Sequence, residues 1–189
     1  MLLSNCKVNA KIISDTNKIM INKENKKLRV VAVSGGFDPI HPGHVRLFQE
    51  AKALGDKLVV ILNNDNWLMA KKKFVFMHEK ERKEVIEALR DVDLVIITKH
   101  KLNPEDMGVS QALIELRPDI FANGGDRNEK DAANPRSSLH RDIQTCKRLG
   151  IKMVYNVGHG GKIQSSTSLV DKAARNAPRK IDVRIKRKQ

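Results

Sequence analysis

Aromatic side chains are scarce in this chain: one Trp, one Tyr and five Phe among 189 residues. Stacking platforms for nucleic-acid bases are therefore few. Cysteine is scarcer still. Cys6 and Cys146 stand far apart with no metal-ligand spacing, so neither a disulfide framework nor a zinc site is expected, and two ordinary thiols point to a reduced, cytoplasmic protein. No apolar stretch exceeds the length of a strand, which argues against a membrane span. The opening MLLSNCKVNAKIISD has only a Leu pair and lacks the apolar region of a signal peptide. Six prolines and eleven glycines exclude collagenous or low-complexity bulk.

At this length the chain is expected to form one domain with tails and to bury a proper core. Its net charge is +14, of which residues 1–29 hold +5 and residues 175–189 hold +6. The body is only mildly basic. Basic ends attract nucleic acid or anionic membrane, yet charge-rich ends are more often solvated segments. With so few aromatics, nucleic acid and membrane are not the expected partners. Residues 1–28 carry no motif and read as an extension, open between a short edge element and a mobile arm.

The richest stretch is RVVAVSGGFDPIHPGHVRLF, residues 29 to 48. Val30, Val31, Ala32 and Val33 form a short β-branched run, the mark of a buried strand. Ser34, Gly35 and Gly36 break it and allow close backbone approach. Asp38-Pro39 turns the chain, and from about Gly43 a helical pattern starts (Val45, Leu47, Phe48, Ala51, Leu54). His41 and His44 thus stand at the mouth of a strand–loop–helix unit, where backbone N–H groups and the helix dipole favour an anion. Their spacing puts both imidazoles on one side of a turn. The glycine spacing is not that of a dinucleotide-binding loop.

The rest alternates strand and helix. Lys57 to Leu62 reads as a second strand, with a polar end at Asn63 to Asn66. Trp67 to Met77 reads as irregular, and its Lys71, Lys72 and Lys73 suit either a solvated loop or a cationic flap. His78 to Arg90 reads as an amphipathic helix whose Glu81-Arg82 belongs to an exposed charge network or to the site. Asp93 to Thr98 is a third strand. Pro104-Glu105-Asp106 opens a helix running to about Leu116. Asp119 to Ala122 is a fourth strand delivering Asn123-Gly124-Gly125-Asp126-Arg127, either a plain turn or a close ligand contact. A helix from Ser138 to Leu149 stops at Gly150, Ile151 to Asn156 is a fifth strand, and Ser165-Ser166-Thr167-Ser168 leads into a last helix, as N-caps or as anion ligands.

The form Gly-Gly-Phe-Asp-Pro-Ile-His-Pro-Gly-His, residues 35 to 44, resembles the signature of the cytidylyltransferase-like nucleotidyltransferases. Ile163-Gln164-Ser165-Ser166-Thr167 resembles that superfamily's second signature, with Gln164 inserted. The resemblance covers residues 29–175 and leaves 1–28 and a basic tail, 176–189, outside. It implies a single α/β domain, a Rossmann-like doubly wound parallel sheet of five strands in the order 3-2-1-4-5. By the same resemblance His41, His44, Lys72 (for the lysine trio) and Thr167 are catalytic. Gly35, Gly36, Phe37, Asp38, Gly43, Arg82, Asn123, Gly124, Gly125, Asp126, Ser165 and Ser166 bind nucleotide, with Arg82 pointing back toward it and Asp38 also a metal or substrate contact. Magnesium bridges phosphate oxygens, and a homodimer is a common state of resembling enzymes.

Those residues are rich in histidine, lysine, glycine and hydroxyls and hold no nucleophilic triad, which suits phosphate chemistry. The expected reaction is transfer of a nucleoside monophosphate from CTP or ATP to a phosphorylated small molecule. Gly124-Gly125-Asp126 resembles heptose-phosphate adenylyltransferases and inclines the acceptor to a sugar or polyol phosphate. Arg127 stands where those enzymes have an aromatic. A coenzyme-type adenylyltransferase acting on FMN, pantetheine phosphate or nicotinamide mononucleotide is the alternative, and a non-catalytic nucleotide-binding or nucleic-acid-associated protein is the rival from another class.

Overall fold

The computed structural model describes residues 27–124, 134, 137–158 and 165–176. Five strands and six helices alternate along them: β1 (Val30–Gly35), α1 (Pro42–Lys52), β2 (Lys57–Leu62), α2 (Asp65–Lys72), α3 (Glu79–Glu87), β3 (Leu94–Ile97), α4 (Ser110–Leu116), β4 (Ile120–Gly124), α5 (Ser138–Leu149), β5 (Lys152–Val157) and α6 (Ser166–Asn176). The strands form one parallel sheet in the order β3-β2-β1-β4-β5, as the resemblance implies. Strand order reverses between β1 and β4, and in open sheets of this kind ligands bind beyond the carboxyl ends of the strands at such a point.

The central strand is covered on both faces, so it is apolar at every position: Val30, Val31, Ala32 and Val33 are each fully buried. Alternation sends Val31 and Val33 to one face, against Leu47, Phe48 and Ala51 of α1 and Ile86 of α3. Val30 and Ala32 go to the other, against Leu113 and Leu116 of α4 and Leu139, Ile143 and Cys146 of α5. Burial pushes the Cys146 thiol up to about 12, with Asp142 adding to the effect. It is a core residue with no thiolate chemistry at neutral pH. No helix among the described residues is long and apolar enough to cross a membrane.

Two local expectations are corrected. The stretch expected to be irregular from Trp67 is helical as far as Lys72, with only 73–77 irregular, because Asn64 caps the helix: its Oδ1 accepts from the Trp67 N–H at 3.1 Å, and Lys73 closes it at φ +67. The helix expected from Pro104 begins only at Ser110. Asp106 instead accepts from the Gly108 N–H two residues on, at 2.9 Å, a local turn that competes with the helix. Asp142 of α5 then takes the Val109 N–H and the Ser110 hydroxyl. Strand β4 also runs on through Asn123 and Gly124. Expectations for residues 1–26, and for Gly125, Asp126, Arg127, Gln164 and the basic tail, lie outside the described residues.

Candidate active site

Strand β1 ends in two glycines because the chain doubles back on itself there. A Cβ on Gly35 would lie 2.8 Å from Phe37 Cζ, and one on Gly36 would lie 2.8 Å from Leu68 Cδ2 and 3.3 Å from Trp67. Phe37, at φ +48, turns its ring inward. There it meets Phe48 edge-on at 5.1 Å and His44 at 4.9 Å. The ring is only 4% exposed and packs as a wedge beneath the loop.

Asp38 lies beneath the surface as well. It is fully buried, and its carboxylate oxygens accept from the Phe76 and Met77 N–H groups, each at 2.8 Å. A carboxylate holding two backbone donors pins the 74–78 loop. Arg82, expected to point at the nucleotide, is 1% exposed and turned inward. Its guanidinium donates to the carbonyls of Met77 (2.8 Å), Gly36 (2.6 Å) and Asn63 (2.8 Å) and to Asp65 Oδ1 (2.7 Å). It clamps the ends of β1 and β2 from below.

The two histidines open α1. His41 is the residue before the helix, and its backbone N–H donates to His44 Nδ1 at 3.3 Å. That acceptor role leaves the His44 proton on Nε2. The rings stack with centroids 3.6 Å apart and planes 22° apart. Gly43 permits this, since a Cβ there would lie 3.0 Å from His41 Cε1. Burial lowers the pKa of both imidazoles, with Lys72 adding to it for His41; for His44, His41 and then Lys72 add to it and bring the value to about 3. Both rings are neutral at pH 7. Between pH 6.5 and 3 the unfolded chain therefore takes a proton that folded His44 refuses, so its stabilising contribution is complete above pH 6.5 and drains as pH falls. Urea unfolding at pH 7, 6 and 5 should show up to about 1.4 kcal/mol lost per unit from this group. His44→Asn, which keeps an acceptor for the His41 N–H but does not titrate, should flatten that slope.

Of the three lysines, the structure brings only Lys72 to the signature loop: its Nζ donates to the Asp38 carbonyl at 2.8 Å, while Lys71 and Lys73 are exposed. Burial lowers the Lys72 pKa, opposed by Asp38. From the other side α6 arrives. Ser165 is an N-cap, its hydroxyl accepting from the Ser168 N–H at 3.1 Å. The Ser166 hydroxyl donates to the Pro39 carbonyl at 2.9 Å, and Thr167 is exposed on the first turn. The first-turn N–H groups of α6 thus lie beside the histidine loop. Asn123 is 8% exposed at the end of β4, with a 3.5 Å contact to the Phe121 carbonyl. Gly124 is glycine because Leu47 Cδ1 and the Val157 carbonyl would each lie 2.9 Å from a Cβ.

The sequence left two groups at this edge unassigned. Trp67 packs against Gly36, and the Asn63 amide oxygen is buried without a hydrogen-bond partner, as is His41 Nδ1. Their position just past β2 was the available signal. What the cluster offers chemically is neutral N–H donors, one ammonium and a helix N-terminus, all around the loop that follows β1. No group of three or more His, Cys, Asp or Glu side chains that could hold a metal occurs among the described residues.

The chain is similar to known proteins. The profile of the cytidylyltransferase-like family matches residues 32–153. FAD synthase of Ferroglobus placidus is 38% identical over 101 residues, 53% of this chain and 62% of that protein. FAD synthase of Picrophilus torridus is 30% identical over 141 residues, 74% of this chain and 91% of that one. The bifunctional protein HldE of Helicobacter pylori is 35% identical over 116 residues, 60% of this chain and 24% of that protein. The chain spans about three fifths of the length of the first two FAD synthases it matches. Among solved structures, a lipopolysaccharide core biosynthesis protein from Thermoplasma volcanium superposes with a TM-score of 0.53 at 29% identity, over 70% of this chain and 98% of that one. Taken with the order of the strands and the stacked histidines at the switch point, these matches place the chain in the cytidylyltransferase-like family of nucleotidyltransferases.

Proposed function

We propose that residues 29–175 form an adenylyltransferase that joins AMP from ATP to a phosphorylated coenzyme precursor, with FMN as the acceptor. The observation that carries the reaction class is the pair of neutral, stacked imidazoles flanked by Lys72 and the N-terminus of α6. What favours FMN is that relatives named FAD synthase match, one of them over 91% of its length.

An acceptor phosphate oxygen attacks the α-phosphorus of ATP. The new P–O bond forms as the bond to the β-phosphate breaks, and pyrophosphate leaves with the electron pair. A phosphate monoester has a second pKa of about 6, so the nucleophile is already anionic and no general base is required. The protein's task is placement and charge neutralisation. His44 donates from Nε2 to the triphosphate, and a donor that is neutral beforehand holds its direction as negative charge builds. His41 stacks on it and donates alongside. Thr167 and the first-turn N–H groups of α6 receive the β- and γ-phosphates, Lys72 screens the leaving pyrophosphate, and Gly35, Gly36 and Gly43 make room for Phe37, Trp67 and the His41 ring. Magnesium enters as part of the substrate, its ATP complex. Such an ion would come with phosphate oxygens and water as ligands, a usual arrangement for Mg²⁺.

A sugar phosphate is the second reading, favoured by the match to HldE. Pyrophosphate release, measured with ATP or CTP against FMN and a series of sugar phosphates, decides between them. Release that needs both ATP and FMN is the expected result. Release with a sugar phosphate alone moves the acceptor to the second reading. Retained ATP binding with no release from any acceptor overturns the transferase.

A further inference from the structure

We infer that Trp67 is the wall of the acceptor site and stacks on an aromatic ring of the phosphorylated acceptor. The inference rests on the adenylyltransferase reading and goes beyond it by naming the residue that reads the acceptor's ring.

Trp67 is the chain's only tryptophan. The edge of its six-membered ring lies against Gly36, where a Cβ would sit 3.3 Å from Cζ3 and 3.8 Å from Cε3. Its Nε1–H donates to the Met107 carbonyl at 2.8 Å, which fixes the ring plane. Part of the ring remains exposed. Packing alone accounts for an indole buried on all sides; this one is held by its polar end at the carboxyl edge of the sheet while keeping surface open. Helix α2 therefore lays two different groups along one loop: the indole on Gly36 and, five residues on, the Lys72 ammonium on the Asp38 carbonyl. Five helical residues advance about 7.5 Å and turn about 140°, yet both groups reach the same loop, the ring at Gly36 and the charge at Asp38.

A second observation marks the same spot. The Asn63 residue is 4% exposed and its amide oxygen has no partner. Its backbone carbonyl and that of Gly36 share one Arg82 nitrogen, at 2.8 and 2.6 Å, so Asn63 and the Trp67–Gly36 contact are neighbours. A buried acceptor without a donor costs free energy unless something supplies one. A ligand ring bearing an N–H edge would do so, as the flavin ring does. The acceptor assigned here is thus a planar heteroaromatic ring joined through a short chain to a phosphate.

FMN is the probe, with ATP binding as the control. Equilibrium dialysis gives affinity and the flavin's own emission gives contact, because an indole stacked on a flavin quenches it by electron transfer whereas a phenyl ring does not. Wild type should bind FMN and extinguish its emission. Trp67→Phe should bind FMN within a few-fold of wild type yet leave the bound flavin bright. Trp67→Leu should bind about tenfold more weakly, the scale of one aromatic pair. ATP affinity should be the same in all three. Bound FMN that stays bright in wild type, or equal quenching in wild type and Trp67→Phe, overturns the stacking and leaves the transferase intact. ATP binding without FMN binding in wild type overturns an aromatic acceptor, again leaving transfer to a sugar phosphate open. Loss of both ligands sinks the transferase reading and this inference with it.

Discussion

His44→Ala is expected to lower kcat for pyrophosphate release by about 10²–10³, the scale for removing one preorganised donor aimed at developing charge. The reason is a proton held in one place. The His41 N–H occupies Nδ1, so Nε2 carries the hydrogen, and burial with His41 and Lys72 nearby keeps the ring neutral throughout the working range. Because the interaction strengthens only as the α-phosphorus becomes five-coordinate, kcat and kcat/KM should fall together with little change in KM. Alanine also removes the ring that Phe37 and His41 pack against, so part of any loss could come from a disturbed loop. His44→Asn separates the two effects. It supplies an acceptor for the His41 N–H without a donor at the Nε2 position. An equal rate loss in an asparagine variant that unfolds at the wild-type urea concentration assigns the loss to the donor. Wild-type turnover in either variant removes His44 from the mechanism.

Arg82→Ala should be the most damaging single change to stability, costing about 3 kcal/mol or more. The guanidinium is buried and spends its donors on three backbone carbonyls and Asp65. Removing it strands these groups, and each buried polar atom left unpaired costs about 1–3 kcal/mol, less where water can enter. Arg82→Lys should recover little, since a single ammonium cannot reproduce a planar fork that reaches β1, β2 and the 74–78 loop together. Urea midpoints at pH 7 test both. A lysine variant as stable as wild type would show that charge, and not the fork, is what the fold requires. Activity should fall too wherever the variant remains folded, because the same fork fixes Gly36 beneath the site.

Much of this was legible in the sequence because local and global signals agreed. The run Val30 to Val33 had to be a central strand, being apolar at consecutive positions, and Lys57 to Leu62 repeats the pattern. Two histidines three apart after a Gly-Gly break, at a helix start, read as a pair on one side of a turn, and the structure stacks them there. Ser138 to Leu149 with Gly150 after it was a bounded helix from its punctuation, and Gly150 is indeed left-handed at φ +71.

What the sequence could not supply was which way a polar side chain turns, because that depends on partners distant in the chain. Asp38 and Arg82 read from the sequence as ligand contacts, and the structure adds bracing partners to each, Phe76 and Met77 in one case and Gly36, Asn63 and Asp65 in the other. Lys72 is distinguished from Lys71 and Lys73 only by the helical phase that the Asn64 cap imposes, which turns one lysine of the three toward Asp38. The tautomer of His44 and the placing of Trp67 against Gly36 likewise exist only once the strand, loop and helix have closed on one another. Periodicity and punctuation act over a few residues and so determined the elements and their order. The roles of single side chains are decided by desolvation and by hydrogen bonds to groups dozens of positions away, and those only the tertiary structure brings together.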